Sequence, residues 1–526
     1  MKWIPSYDAP AADTCELPVK NTLSRRLAFG VLGATTLALT VSPGHAQTVA
    51  NADAVYQGFL DAYLVTEQPT SGPKFPSGGY KYSLPYLRGS TTNPKKFAMW
   101  EEGFCITAIA DACDSSLSDD RRELLRKLLH AFLDQHGSPL KSDWNDDIMW
   151  GTRALARGYQ ITGETRFLEA AAASWKKVWD RGWNDNLGGG ILIRQSKTVK
   201  CTLVNAPFVI NGCLLYSATA DPVYLERSKQ TYAWMRANLF NPKTGQVIEC
   251  AGKVSDNIYN HGSFIQAANA LYQITGQQQY FDDALAAIER VRAKHKIFTS
   301  NNGCEEFVRG LSYFARMNGL WDEYYPWLKA NAQASWDNRR KDYNISWPDW
   351  KKPSPIENLK SMKAIGSLVI QQVTVIRPVG KLELKNTASN LSLGVEGNSM
   401  ADGARVIQGP YKGSANAQWT FTHHPDSGFC QMVSVRSGKN MTVRNASTDD
   451  GAPLVQSGLA STGNDLWMPT LTIFGDYRFV NKRSGKMLEN PGSSKTQGTQ
   501  MQQSGYRDGE SGKGGRDQRW RMFRQN

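Results

Sequence analysis

The sequence is short of the residues that bind metals: seven His and eight Cys in 526 residues. No CxxC pair and no His/Cys cluster at zinc spacing occurs, so a metal site has no support, and no cofactor is implied. The stretch from residue 50 to 372 has no P-loop, no GxSxG and no HExxH, which removes the commonest nucleotide-dependent, serine-hydrolase and metalloprotease readings. A formal charge of +13 comes without a compact Lys/Arg block or a nucleic-acid motif, so it reads as diffuse basicity and no nucleic-acid partner is expected. An uncharged, mostly apolar run extends from Leu27 to Val41. That run is too short to span a bilayer, so no integral membrane segment is expected in the mature chain.

What is present at the N-terminus is an export signal. Ser24-Arg25-Arg26 precedes the apolar run, and Gly44-His45-Ala46 ends in a small residue suited to cleavage. The arginine pair resembles a twin-arginine signal, with Sec export as the alternative. Residues 1–46 are therefore expected to leave, and the mature protein to be secreted. Cys15 leaves with them. The other seven, Cys105, Cys113, Cys201, Cys213, Cys250, Cys304 and Cys430, are an odd number whose pairing spacing does not reveal.

Residues 47–372 read as one helix after another, about twelve in all. They begin near Asp53, Phe97, Asp119, Asp146, Thr165, Leu203, Pro222, Tyr259, Gln278, Glu305, Leu320 and Ile356. Tyr159-Gln-Ile-Thr162-Gly163 is echoed by Tyr272-Gln-Ile-Thr275-Gly276, with a fainter version ending at Asp221-Pro222. In the two full copies, Gly supplies a left-handed helix end and the next helix starts directly. Paired helices in this number predict a toroid of six inner and six outer helices, (α/α)6, with a solenoid as the alternative.

After a β-rich linker at 373–380 the texture changes. In residues 381–526 Gly, Ser and Asn dominate and the helical period vanishes. One pattern occurs three times: Gly403…Gln408, Gly451…Gln456 and Gly498…Gln503, followed by Trp419, Trp467 and Trp520. The glycines stand 48 and 47 residues apart (451 − 403 and 498 − 451). Threefold repetition at that period predicts an all-β β-trefoil. Gln518-Arg519-Trp520 resembles the closing triplet of ricin-B-type lectin lobes, whereas Ala417-Gln418-Trp419 and Asp465-Leu466-Trp467 depart from it. The resemblance implies a sugar-holding acidic residue early in each lobe. Gly394 and Thr442 stand there in the first two lobes and Glu489 in the third, so Glu489 and Gln518 are the expected sugar contacts. On this reading the trefoil is a binding module whose loss spares activity on short soluble substrates.

Chemistry is expected at Ser142-Asp143-Trp144-Asn145-Asp146-Asp147, which opens a helix. Cleaving a glycosidic bond generally takes two carboxyl groups, one to attack or to activate water and one to protonate the leaving oxygen. Adjacent Asp at a helix start place both in one cavity, and their repulsion raises one pKa. Such pairs also serve as ordinary caps. Asp119-Asp120, Asp282-Asp283 and Asp449-Asp450 are three more, but only Asp146-Asp147 is framed by Trp144 and Trp150.

Trp144-Asn145-Asp146-Asp147-Ile148-Met149-Trp150 resembles glycoside hydrolase family 76, the α-1,6-mannanases. Gly188-Gly189-Gly190-Ile191, Lys200 with Asn205, Tyr259-Asn260-His261-Gly262, Phe307-Val308-Arg309 and Trp336-Asp337-Asn338-Arg339 follow in the family's order. The resemblance implies Asp146 as nucleophile and Asp147 as general acid/base of a retaining mechanism. It also implies Trp144, Asn205, Asn260 and His261 as substrate-binding residues, and a polysaccharide partner. Asn145, His261 and Gly303-Cys304-Glu305-Glu306 depart from the family pattern. The rival readings are a transglycosylase using the same pair, an unsaturated glucuronyl hydrolase-like enzyme, and a non-catalytic glycan-binding protein.

Overall fold

The computed structural model describes residues 43–67, 82–92, 98–253, 255–299, 303–357, 359–375, 380–411, 413–423, 427–458, 462–506 and 515–525. The apolar export run, the Arg25-Arg26 pair and Cys15 lie outside them. Among these residues twelve long helices, with four two-residue strands between them, precede a block of twelve strands. The helices are α1 (Pro43–Tyr63), α2 (Met99–Ser116), α3 (Asp119–His136), α4 (Asn145–Thr162), α5 (Thr165–Gly182), α6 (Thr202–Thr219), α7 (Pro222–Asn238), α8 (Ile258–Thr275), α9 (Gln278–Lys294), α10 (Cys304–Met317), α11 (Trp321–Asp337) and α12 (Ser361–Thr374).

The even-numbered helices form the inner ring: each packs on the next, and α12 closes onto α2. The odd-numbered helices form the outer layer, each paired with an inner neighbour. Sequence explains the sorting. An inner helix such as α6 is buried nearly all round and strongly apolar, whereas outer α5 buries only one stripe, Phe167, Ala170, Ala171, Ser174, Trp175 and Val178. Turn chemistry sets the hairpins. Gly163 and Gly276 end α4 and α8 with φ of 74° and 67°, donating their amides to Tyr159 and Tyr272. Asp221 caps α7 by accepting from Val223 N–H at 3.0 Å, with Pro222 in the first turn. Close approach is built in where inner helices touch: a Cβ on Gly262 would lie 2.3 Å from the backbone of Glu306.

The trefoil strands are β1 (Lys381–Asn386), β2 (Ser392–Val395), β3 (Val406–Gly409), β4 (Trp419–His423), β5 (Cys430–Ser434), β6 (Asn440–Val443), β7 (Leu454–Ser457), β8 (Leu466–Leu471), β9 (Tyr477–Asn481), β10 (Met487–Glu489), β11 (Gln502–Ser504) and β12 (Trp520–Arg524). Six of them close a barrel in the order β1-β4-β5-β8-β9-β12 and back to β1. The hairpins β2–β3, β6–β7 and β10–β11 form the three caps.

The sequence repeat has a structural cause. Gln408, Gln456 and Gln503 are buried, and each accepts from a serine of its own lobe, Ser389, Ser437 or Ser484, at 2.7 Å. Each then donates to two carbonyls of another lobe: Ser494 and Thr496, Ser399 and Ala401, Ser447 and Asp449. The three glutamines thus lock the lobes in a circle. Trp419, Trp467 and Trp520 are wholly buried and donate their indole N–H to carbonyls of β2, β6 and β10.

Candidate active site

Glycine spacing, a buried lysine and a helix start together build the lip of the ring. Gly189 and Gly190 have φ of 115° and 89°, and a Cβ on Gly190 would lie 2.4 Å from the Trp234 ring, so only glycine fits. Lys200 is buried and donates to the carbonyls of Asn184, Asn186 and Gly189, gathering this loop around its charge. A disulfide joins Cys201 to Cys250. Cys105, Cys113, Cys213, Cys304 and Cys430 are free and buried.

Asn205 is wholly buried: its Oδ1 accepts from Ile191 N–H at 2.8 Å, and its Nδ2 donates to Ile191 and Cys201 carbonyls. One N–H holds the glycine-rich loop to α6 and the other closes back on the residue that precedes the helix, so both are spent. His261 is similarly occupied. Nδ1–H donates to the Asn257 carbonyl at 3.0 Å, and Nε2 accepts from Val247 N–H at 3.2 Å. Burial pushes its pKa down to about 4, so the ring is neutral and ties the start of α8 to the two-residue strand Gln246–Val247. Asn260 is also buried, beside Tyr259, whose hydroxyl donates to Glu249.

The loop leads to the acidic start of α4. Asn145 N–H donates to Ile193 O at 2.8 Å, and its side chain is held by Leu192 O and Arg181. This fixes the next two residues. Burial, then the neighbouring charge of Asp147, raises Asp146 to about 7, against the pull of two backbone amides. Its Oδ1 is buried with no hydrogen-bond partner. Asp147 is the less enclosed of the two. Burial raises its pKa, opposed by Ser142 Oγ, which donates to Oδ2 at 2.9 Å. Burial of both groups, and the repulsion that Asp146 feels from Asp147, thus favour a single proton shared by the pair. Trp144 stands at the rim, 38% exposed, with the Arg194 guanidinium 5.1 Å from its ring centre. Trp150 is core, packed on Phe104 at 4.3 Å.

The other three Asp pairs do ordinary work. Asp119 pairs with Arg122 on the surface, Asp283 is bound by Arg236 and Tyr232, and Asp449 accepts from Ser447. Two carboxylates escaped the sequence reading. Glu101, in the first turn of α2, accepts from Ala98 N–H and lies close enough to Asp147 for the two charges to repel. Glu305, in the first turn of α10, is buried and raised to about 7 by desolvation. The available signal was an acidic pair at the start of three inner helices: Glu101-Glu102, Asp146-Asp147 and Glu305-Glu306. Behind them Glu306 is held by Arg153, Arg309 and Gln266, and Arg309 also donates to Asp111 at 2.8 Å. Arg309 is thus paired inside the ring.

In the trefoil, Glu489 ends β10 fully buried. It accepts from Gln502 at one oxygen and Gln518 at the other, both at 2.8 Å. The structure brings Glu489 and Gln518 together. In the second lobe Thr442 instead accepts from Asn464.

Comparison with known proteins agrees with both halves. The pattern of "Glycosyl hydrolase family 76" matches residues 49–379, more than half of the chain. That of "Ricin-type beta-trefoil lectin domain-like" matches residues 371–457 and 415–504. Among solved structures, the α-1,6-mannanase GH76A of Salegentibacter sp. HEL1_6 is 20% identical, covering 62% of this chain and 98% of its own with a TM-score of 0.55. An inactive variant of it, with two consecutive aspartates replaced by alanine, is in complex with α-1,6-mannotetrose and matches equally well. A Listeria innocua protein is 23% identical over 62% of this chain and 96% of its own, with a TM-score of 0.54. A family 76 mannosidase of Bacteroides thetaiotaomicron is 19% identical over 63% and 98%, with a TM-score of 0.51. No curated protein matches the chain.

Proposed function

We propose, from the fact that the chain belongs to glycosyl hydrolase family 76 and is a glycoside hydrolase, that it is a secreted endo-α-1,6-mannanase with a retaining mechanism. The observation that carries this is the Asp146–Asp147 pair at the start of an inner helix, with one buried oxygen of Asp146 unpartnered and one proton held between the two carboxyls. An unsatisfied buried acceptor costs stability, and a reacting sugar is what would make use of it.

In the reaction one carboxylate attacks the anomeric carbon, forming a glycosyl ester, while the other donates its proton to the leaving oxygen. The second carboxylate then takes a proton from water, whose oxygen releases the sugar from the ester. Family resemblance gives the attack to Asp146 and the proton to Asp147. One proton shared by the pair lets Asp146 attack as the carboxylate while Asp147 donates as the acid. A sugar packed over the site removes solvent from the less enclosed Asp147 and so favours its protonated form. The inactive two-aspartate variant with bound mannotetrose supports the pair as the reacting groups and α-1,6-mannan as substrate.

An acidic mouth of Glu101, Asp146 and Asp147 disfavours a uronic acid, against the glucuronyl-hydrolase alternative. Secretion rests on the N-terminal signal. Retention on polysaccharide rests on the trefoil's match to the ricin-type lectin pattern. Incubating the purified protein with α-1,6-mannan, xylan and unsaturated uronides tests the reading. Shortened mannan chains are expected, lengthened ones would mark a transglycosylase, and action confined to uronides would refute the substrate assignment.

A further inference from the structure

The base of the helical ring meets the open end of the trefoil barrel. The turn joining β8 to β9 is Thr472-Ile473-Phe474-Gly475-Asp476. It is a tight turn, with Gly475 N–H donating to Thr472 O and Thr472 N–H to Asp476 O. Exposed turn tips are usually polar, yet this one carries Ile and Phe. The reason is where it sits. Ile473 is buried within the core of the helical ring, not of the trefoil, and Phe474 packs beside it. Leu471, Thr472 and Ile473 share a cavity with residues of four inner helices, among them Arg157, Leu214, Asn269 and Met317. Gln160, at the end of α4, donates to Ile473 O at 2.8 Å and accepts from Arg157, which pairs with Asp114.

The insertion is mutual. Leu117, Tyr313 and Met317, at the ends of α2 and α10, pack against the hydrophobic core of the trefoil. Tyr313 also donates to Asp111, the partner of Arg309. Around the rim Asp322 accepts from Gly428 N–H at 2.6 Å and from Ser427 Oγ. Arg524 donates to Ser116 O, and Arg316 to Val375 O.

We propose that each domain closes the other: the β8–β9 turn seals the floor of the catalytic ring, and helix ends seal the open barrel of the trefoil. The trefoil is then a structural part of the enzyme. Without it, water would reach the Arg157–Asp114 and Tyr313–Asp111 contacts, which lean on the buried ion pairs beneath the acidic mouth. The sequence-based expectation that the trefoil can be removed without loss does not hold on this view.

The test uses the full chain with a protease site inserted between Val375 and Gly380. After complete cutting, the halves should elute together on size exclusion and unfold in one calorimetric transition. With Ile473→Asp added they should elute apart. If that variant misfolds, Gln160→Ala with Ile473→Ala should weaken the association at least tenfold, measured by dilution. Cut wild-type halves that elute separately, or melt in two independent transitions, would overturn the proposal. Because neither readout involves substrate, the outcome does not depend on the proposed mannanase activity.

Discussion

Two carboxylates, Asp146 half-buried in the ring and Glu489 buried in the trefoil, meet opposite treatment. Both oxygens of Glu489 are claimed, one by Gln502 and one by Gln518. Asp146 keeps an oxygen with no partner, beside a second carboxylate. A satisfied buried carboxylate is a fixed feature of the fold or of a binding surface, whereas an unsatisfied one is poised to react. The same contrast separates what repeats from what does not. Gln408, Gln456 and Gln503 recur in all three lobes because they lock the lobes together. Glu489 has no carboxylate counterpart at Gly394 or Thr442, whereas acidic pairs do recur at the starts of three inner helices, and of these Asp146-Asp147 is the pair of aspartates.

The largest effect expected from this contrast is on turnover. Asp146→Asn and Asp147→Asn should each lower kcat by about a thousandfold or more while leaving the circular dichroism spectrum unchanged. Near-normal turnover in both would remove the pair from the mechanism. Alanine at the acid/base position should be rescued by azide and give a product of retained configuration, which separates the two roles.

The next effect is on pH dependence. With Asp146 raised to about 7, the pair loses its shared proton near that pH, so kcat/KM should fall roughly tenfold per pH unit on the alkaline side. Stability moves with it. The folded pKa is raised above the unfolded value of 3.8, so this group's stabilising contribution is full below about pH 4 and lost as pH rises through about 7. Asp146→Asn should therefore have the higher Tm above pH 7, and a wild-type Tm that stays higher there would contradict the buried-charge account.

The smallest effect belongs to Glu489. Glu489→Gln keeps the shape but loses the charge-assisted bonds, so retention on insoluble mannan should drop about tenfold while activity on short soluble chains stays near normal. Unchanged retention would leave the third lobe without a binding role.

Much of this was legible because local chemistry sets local structure. Helix starts at Asp119, Thr165, Pro222 and Gln278 follow directly from turn residues and apolar spacing. The first helix begins at Pro43, well before Asp53, and the last at Ser361, after Ile356, where periodicity alone blurs. The threefold trefoil was readable because each lobe repeats the same lock. Asn205 and His261 were visible as marked residues, but their bonding was not, because Ile191 and Val247 reach them through loops of a dozen or more residues. Ile473 in the ring's core depends on contacts more than three hundred residues apart, such as that with Gln160, and no periodicity announces them.

The central claim is a double displacement at Asp146 and Asp147, and product stereochemistry tests it most directly. Proton NMR during cleavage of an α-1,6-linked mannan oligosaccharide should show the α-anomer appearing first, then mutarotating. If the β-anomer appears first, the bond is broken by direct attack of water, and the covalent role of the pair is wrong.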